Sequence, residues 1–98
     1  MHVRFQDTAE ADLDAIKQHI EPESPKGLLR VLTAIFTVAE QLETFPFLGR
    51  EGDVAGTREV TVPRTPFRLI YTLDDPHFID IIRVLHGARR YPPLNERR

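Results

Sequence analysis

Arginine carries most of the chemistry open to this 98-residue chain. Eleven of its thirteen basic residues are arginine, whose planar fork suits carboxylates and phosphates. Arg58, Arg68 and Arg83 fall in segments that read as β-strands, and Arg89 and Arg90 follow the last of them. An arginine in a small sheet must face solvent, pair with a carboxylate or line a functional surface. Glu59 and Asp80 are at hand for Arg58 and Arg83, so structural pairing is one reading of those two. Arg68 stands beside Ile70, on the strand face opposite Phe67 and Leu69, which points to a functional surface. Tyr91 can stack on a base, donate a proton or anchor the tail, and anchoring is the more common role.

Other chemistries leave little trace. His2, His19, His77 and His86 are widely spaced, with no pair three or four residues apart. Metal ligands usually cluster, so no metal is expected. His86 ends the most apolar strand segment and is the one histidine with a credible role. Without cysteine the chain has no disulfide, no thiol nucleophile and no thiolate metal site. Gly49-x-x-Gly52 lacks the Lys-Ser/Thr of a phosphate loop. Ser24, the only serine, is better read as a helix cap than as a nucleophile. No cofactor is implied.

The charge is unevenly laid out. Residues 1–49 hold four Lys/Arg and eight Asp/Glu, a balance of −4, and residues 50–98 hold nine and seven, a balance of +2. A net charge of −2 argues against broad nonspecific nucleic-acid binding, while an Arg-rich patch remains open. With 41% hydrophobic and 29% charged residues, the chain reads as one soluble domain over residues 1–98. No apolar run approaches the ~18 residues of a membrane span, and no leader-like segment opens the chain. A cytoplasmic protein without membrane contact is expected.

The elements that must position these side chains follow from periodicity. Residues 2–5 alternate as a short strand. Asp7 and Glu10 suggest a capping box, after which Ala9, Leu13, Ile16 and Ile20 make one helical stripe. Pro22 stops that helix. Ser24-Pro25 starts a second, with Leu28, Leu32, Ile35, Ala39 and Leu42 as its stripe, widened by Val31, Phe36 and Val38. It should run to about Thr44, because Pro46 forbids continuation. Residues 45–56 read as a loop. Strands are expected at 57–62, 67–73 and 78–85, separated by proline and Asp-Asp-Pro turn signals. The order is β-α-α-β-β-β. It implies an α+β fold, a helical hairpin on one face of a small, mainly antiparallel sheet of three or four strands.

Five segments carry a family likeness. They are Ala9-x-x-Asp12-Leu13-x-x-Ile16, Phe45-Pro46-x-Leu48-Gly49-Arg50, Gly56-Thr57-Arg58-Glu59-Val60, Phe67-Arg68-Leu69-Ile70-Tyr71 and Ile82-Arg83-Val84-Leu85-His86-Gly87-Ala88-Arg89. In this order they resemble the RelE/ParE superfamily of bacterial toxins, over about residues 3–92. The resemblance implies the fold derived above and a type II toxin neutralised by a cognate, ParD-like antitoxin. It also implies one of two activities: ribosome-dependent mRNA cleavage without a metal (RelE-like) or inhibition of DNA gyrase (ParE-like).

The RelE-like nuclease works with two lysines on one strand, arginines on the next strand and after the last, and a tyrosine near the C-terminus. Here Arg68 and Arg89 match the arginines, Tyr91 lies near the tyrosine at a different spacing, and Glu59 or His86 could contribute. The lysine positions align with Glu59 and Thr61, and no lysine follows Lys26. The resemblance therefore leans to the ParE-like reading, with no catalytic residues assigned and Arg58, Arg68, Arg83, Arg89 and Arg90 as candidate binding residues. An inactive relative that binds only its antitoxin is the remaining alternative.

Overall fold

Apolar spacing sets both helices, and the computed structural model, which describes residues 1–87 and residue 91, places them where the stripes fall. The first strand, β1 (His2–Phe5), leads into α1 (Asp7–Ile20) and then α2 (Pro25–Thr44). Ser24 caps α2, its hydroxyl accepting the Gly27 N–H at 2.9 Å, with Pro25 in the first turn. The expected capping box at α1 does not form. Gln6 is the N-cap and makes no side-chain cap bond. Asp7 and Glu10 instead lie in the first helical turn, where their charge favours the N-terminal end of the helix dipole.

Ala9 and Ile16 of α1, and Leu28, Ile35, Val38, Ala39 and Leu42 of α2, are buried. Burial of a side chain such as Ile35 or Leu42 contributes about 2 kcal/mol relative to exposure. Phe36 does less than its position in the stripe suggests. It is 47% exposed and meets Phe5 edge-to-face at 5.5 Å.

Among the described residues the sheet has five strands rather than three or four. After α2 come β2 (Arg50–Glu51), β3 (Thr57–Thr61), β4 (Phe67–Thr72) and β5 (Phe78–His86), in the spatial order β1-β5-β4-β3-β2. The additional strand pairs Arg50 with Glu59 and Glu51 with Arg58. Two residues are too few for alternation to register, and the flanking Gly49 and Gly52 read as loop. Such a short, charged edge resists pairing with another sheet. Only β1 runs parallel to its neighbour, β5.

Between β4 and β5 the register slips. Ile70 faces Arg83, but Tyr71 faces Ile81, so Ile82 is the extra residue of a bulge. The slip decides which side chains of β5 face the helices. Ile79, Ile81 and Val84 join the core with Leu69 and Tyr71, while Arg83 and Leu85 fall opposite Ile70 and Arg68. Beyond the end of β1, α1 seals the side of β5. Gln6 N–H reaches Ile81 O at 2.9 Å, Thr8 Oγ1 donates to Ile82 O at 2.5 Å, and Asp12 Oδ2 accepts the Val84 N–H at 2.8 Å.

Asp80 is engaged by β1, not by Arg83. Arg4 Nε donates to Asp80 Oδ1, Gln6 Nε2 donates to the same oxygen at 2.7 Å, and the Arg4 guanidinium lies 4.1 Å from the Phe78 ring centre. The hydrogen bond from Arg4 holds the Asp80 carboxyl below its ordinary value of 3.8, with Gln6 and the Arg4 charge adding to the effect against partial desolvation. A lowered folded-state value means the stabilisation is present above the unfolded value and is lost as pH falls through the folded one. The stability gap between wild type and Asp80→Asn should therefore be widest near neutrality and close progressively below pH 3.8. Urea unfolding at a series of pH values checks this.

Candidate functional site

The strand alternation that sends Leu69 and Tyr71 to the helices sends Glu59, Arg68, Ile70 and Leu85 to the other face. That face is not bare, since Ile70 is 0% and Leu85 1% exposed. At its centre Arg68 Nε lies 3.1 Å from Glu59 Oε1, the two side chains keeping only 15% and 9% of their surface. They sit diagonally across β3 and β4, because Glu59 opposes Ile70 and Thr61 opposes Arg68. The contact is an ion pair rather than an aligned hydrogen bond.

Arg68 has a second task. Its Nη1 donates to Gly87 O at 3.0 Å, while Gly87 N–H donates to Pro66 O at 2.5 Å. Both polar groups of Gly87 are thus fixed where the chain leaves β5. His86 opposes Phe67 and meets its ring edge-to-face at 5.9 Å. Of the proposed nuclease set, Glu59 and Arg68 are therefore brought together, with His86 at the same end of the strands. Tyr91 is half-buried. Arg89 and Arg90 lie outside the described residues.

Arg58 does not pair with Glu59. Its Nη2 donates to Gly49 O, approaches Phe47 O at 3.4 Å, and its guanidinium lies 5.1 Å from the Phe47 ring centre. The loop after α2 is held from below by Tyr71, which is wholly buried. Its hydroxyl donates to Pro46 O at 2.8 Å and accepts the Gly49 N–H at 2.9 Å. A Cβ on Gly49 would come within 2.5 Å of Glu59 O, so only glycine lets the loop approach β3 this closely. Phe45, Phe47 and Leu48 are held outward by this clasp, 62%, 72% and 48% exposed. Sequence reasoning read this stretch as a loop and missed the clasp. Its signal was a Pro and a Gly bracketing apolar residues, with a tyrosine inside a strand.

Arg83 pairs with Asp12 of α1, not with Asp80. Nε lies 2.8 Å from Oδ2 and Nη2 3.1 Å from Oδ1, a two-point contact. It ties α1 to β5, and the same carboxylate caps Val84 N–H. The pair gives Arg83 a structural task, and the sequence signal was Asp12 within the first family-like segment. Among the described residues no group of three or more His, Asp or Glu side chains is placed to hold a metal. No described helix is long and apolar enough to cross a membrane.

A helical hairpin on an open, mostly antiparallel five-stranded sheet is the architecture of the small ParE and RelE toxins. The family model described as the ParE toxin of the type II toxin–antitoxin system, parDE, matches residues 3–91, and the chain belongs to this family. It is 33% identical over 79 residues to toxin RelE2 of Caulobacter vibrioides, covering 81% of this chain and 86% of the relative. Among solved structures it resembles a chain of the chromosomal ParDE system of P. aeruginosa, with 28% identity, a TM-score of 0.65, and 88% and 95% of the two chains covered. It also resembles a chain of the RelBE2 toxin–antitoxin complex of Mycobacterium tuberculosis, with 32% identity, a TM-score of 0.62, and 87% and 95% covered. The chain is a type II toxin of the ParE/RelE superfamily.

Proposed function

We propose that this toxin acts in the cytoplasm in the ParE manner: it binds DNA gyrase and inhibits it, breaks no bond itself, and is neutralised by a cognate antitoxin. The observation that carries this reading is the pairing of Glu59 with Arg68 on the sheet face away from the helices. Metal-free RNA cleavage needs a base for the 2′-hydroxyl, positive charge for the phosphorane and an acid for the leaving oxygen. On this face Glu59 and Arg68 neutralise each other, and Arg68 is further spent on Gly87. No lysine stands on β3 or anywhere after Lys26. Membership of the ParE model supports the same reading. The antitoxin assignment is supported by two neighbours described as toxin–antitoxin systems.

A second reading, a ribosome-dependent ribonuclease, is favoured by the likeness to a chain named RelE2 and by Glu59 and Arg68 sharing one face. Purified toxin added to gyrase and relaxed plasmid should block supercoiling or trap cleaved DNA. Unimpaired gyrase, together with messenger RNA cut on translating ribosomes, would replace the first reading with the second. Normal growth on expression without antitoxin would identify an inactive relative.

A further inference from the structure

We propose that the groove between α2 and the turn joining β3 to β4 seats an acidic amphipathic segment of the antitoxin. The proposal rests on the antitoxin reading above and names the surface and the chemistry of the contact. Val31, Ala34 and Val38 of α2 and Pro63 of the turn give this groove an apolar floor, and its volume is about 470 Å³. That lies within the range of functional pockets. Arg30 stands on the helix side and Arg64 on the turn side, both exposed.

The two rim arginines differ from three of those in the sheet. Arg4, Arg68 and Arg83 each meet a carboxylate, whereas Arg30 and Arg64 form no ion pair among the described residues. No acidic side chain lines the groove. Its charge is complementary to an anionic partner, and its floor to apolar side chains. From Val31 to Val38 the floor follows α2 for about 10 Å. An occupant with apolar residues three and four apart, and acidic residues flanking them, fits both features. Single-stranded nucleic acid fits poorly, because the groove offers no aromatic ring for a base to stack on.

Arg64 supplies an independent observation. It has φ of 63°, the only described residue other than glycine with a positive value. Glycine adopts this conformation freely and arginine does not. The turn around it is firmly built: Val62 N–H bonds Phe67 O at 2.9 Å, and Thr65 Oγ1 donates to Val62 O at 2.9 Å. A strained arginine on a rigid turn, without a partner charge of its own, points to a function that outweighs the strain.

The test measures calorimetric binding of the toxin to the protein encoded by the reading frame adjoining its gene, with thermal unfolding as the fold check. Arg30→Glu/Arg64→Glu should weaken binding about tenfold or more, and Arg50→Glu, an exposed reversal outside the groove, by no more than about twofold. Thr37→Trp, which fills the groove from an exposed rim position, should weaken binding without a charge change. Arg64→Gly should raise the melting temperature by about 3 °C and yet weaken binding. Tight binding by wild type, with both the double reversal and Thr37→Trp within about twofold of it, overturns the groove and leaves the antitoxin reading standing. A neighbour-encoded protein that does not bind wild type overturns the antitoxin reading itself.

Discussion

An Arg68→Ala toxin is expected to lose about 2 kcal/mol of stability while inhibiting gyrase, per folded molecule, as well as wild type. The cost arises because Glu59 keeps only 9% of its side-chain surface and is left as an uncompensated charge. Full burial would cost more, about 3–5 kcal/mol. Arg68 retains 15% exposure, so water reaches the vacated site and the lower figure applies. Part of the loss also comes from Gly87, whose carbonyl gives up its contact with Arg68 Nη1. Replacing both charges, as in Glu59→Leu/Arg68→Met, should recover most of the stability. The neighbours Ile70 and Leu85 are wholly buried, so an apolar pair finds an apolar setting there. Chemical denaturation measures the first effect and a supercoiling assay the second. A toxin that cuts RNA would behave in the opposite way: Arg68→Ala would abolish its activity even where the protein remains folded. Growth arrest that disappears in Arg68→Ala at unchanged toxin level would therefore count against the binding mechanism.

The helices were legible because their signals are local. Ser24-Pro25 starts α2 and Pro46 follows its end, and the stripe between them repeats every three to four residues. β3 and β4 were legible for the same reason, as alternation over five or more residues, and β5 as a nearly all-apolar run. What could not be read were choices made between distant segments. Arg83 had Asp80 three residues away in sequence, and the structure joins it to Asp12, 71 residues away. The bulge at Ile82 sets Arg83 opposite Ile70, where its guanidinium meets Asp12 of α1, while Asp80 opposes Thr72. Asp80 meets Arg4 instead, through the parallel pairing of β1 with β5 that brings those two residues opposite each other. The family likeness located Glu59 and Arg68 as residues of interest. Their diagonal contact depends on the β3–β4 register, which no single segment encodes. The short strand β2 exists only because the clasped loop delivers Arg50 and Glu51 to the side of β3.

That clasp carries the largest stability effect expected of any single methyl group in the molecule. Gly49→Ala should cost about 3 kcal/mol. The added carbon would lie 2.5 Å from Glu59 O, 2.9 Å from Glu59 C and 2.8 Å from the Tyr71 hydroxyl. Two of these three neighbours are backbone atoms of β3, whose position is fixed by pairing with β4, so no side chain can rotate out of the way. Either the loop lifts, breaking the Gly49–Tyr71 and Pro46–Tyr71 hydrogen bonds, or β3 shifts and disturbs Glu59 beneath it. Two other variants separate these routes. Tyr71→Phe removes both hydrogen bonds without a clash and should cost about 1–2 kcal/mol. Gly56→Ala adds a methyl group at φ of 83° with nothing within 4 Å, so only backbone strain remains, worth about 1 kcal/mol. If lifting of the loop is the dominant response, Gly49→Ala in a Tyr71→Phe background should cost clearly less than it does alone, since the bonds it breaks are already absent. If the two costs add, the strain has passed into β3. The disturbance would then reach the Glu59–Arg68 pair and lower stability, with inhibition per folded molecule unchanged, as chemical denaturation beside a supercoiling assay would show.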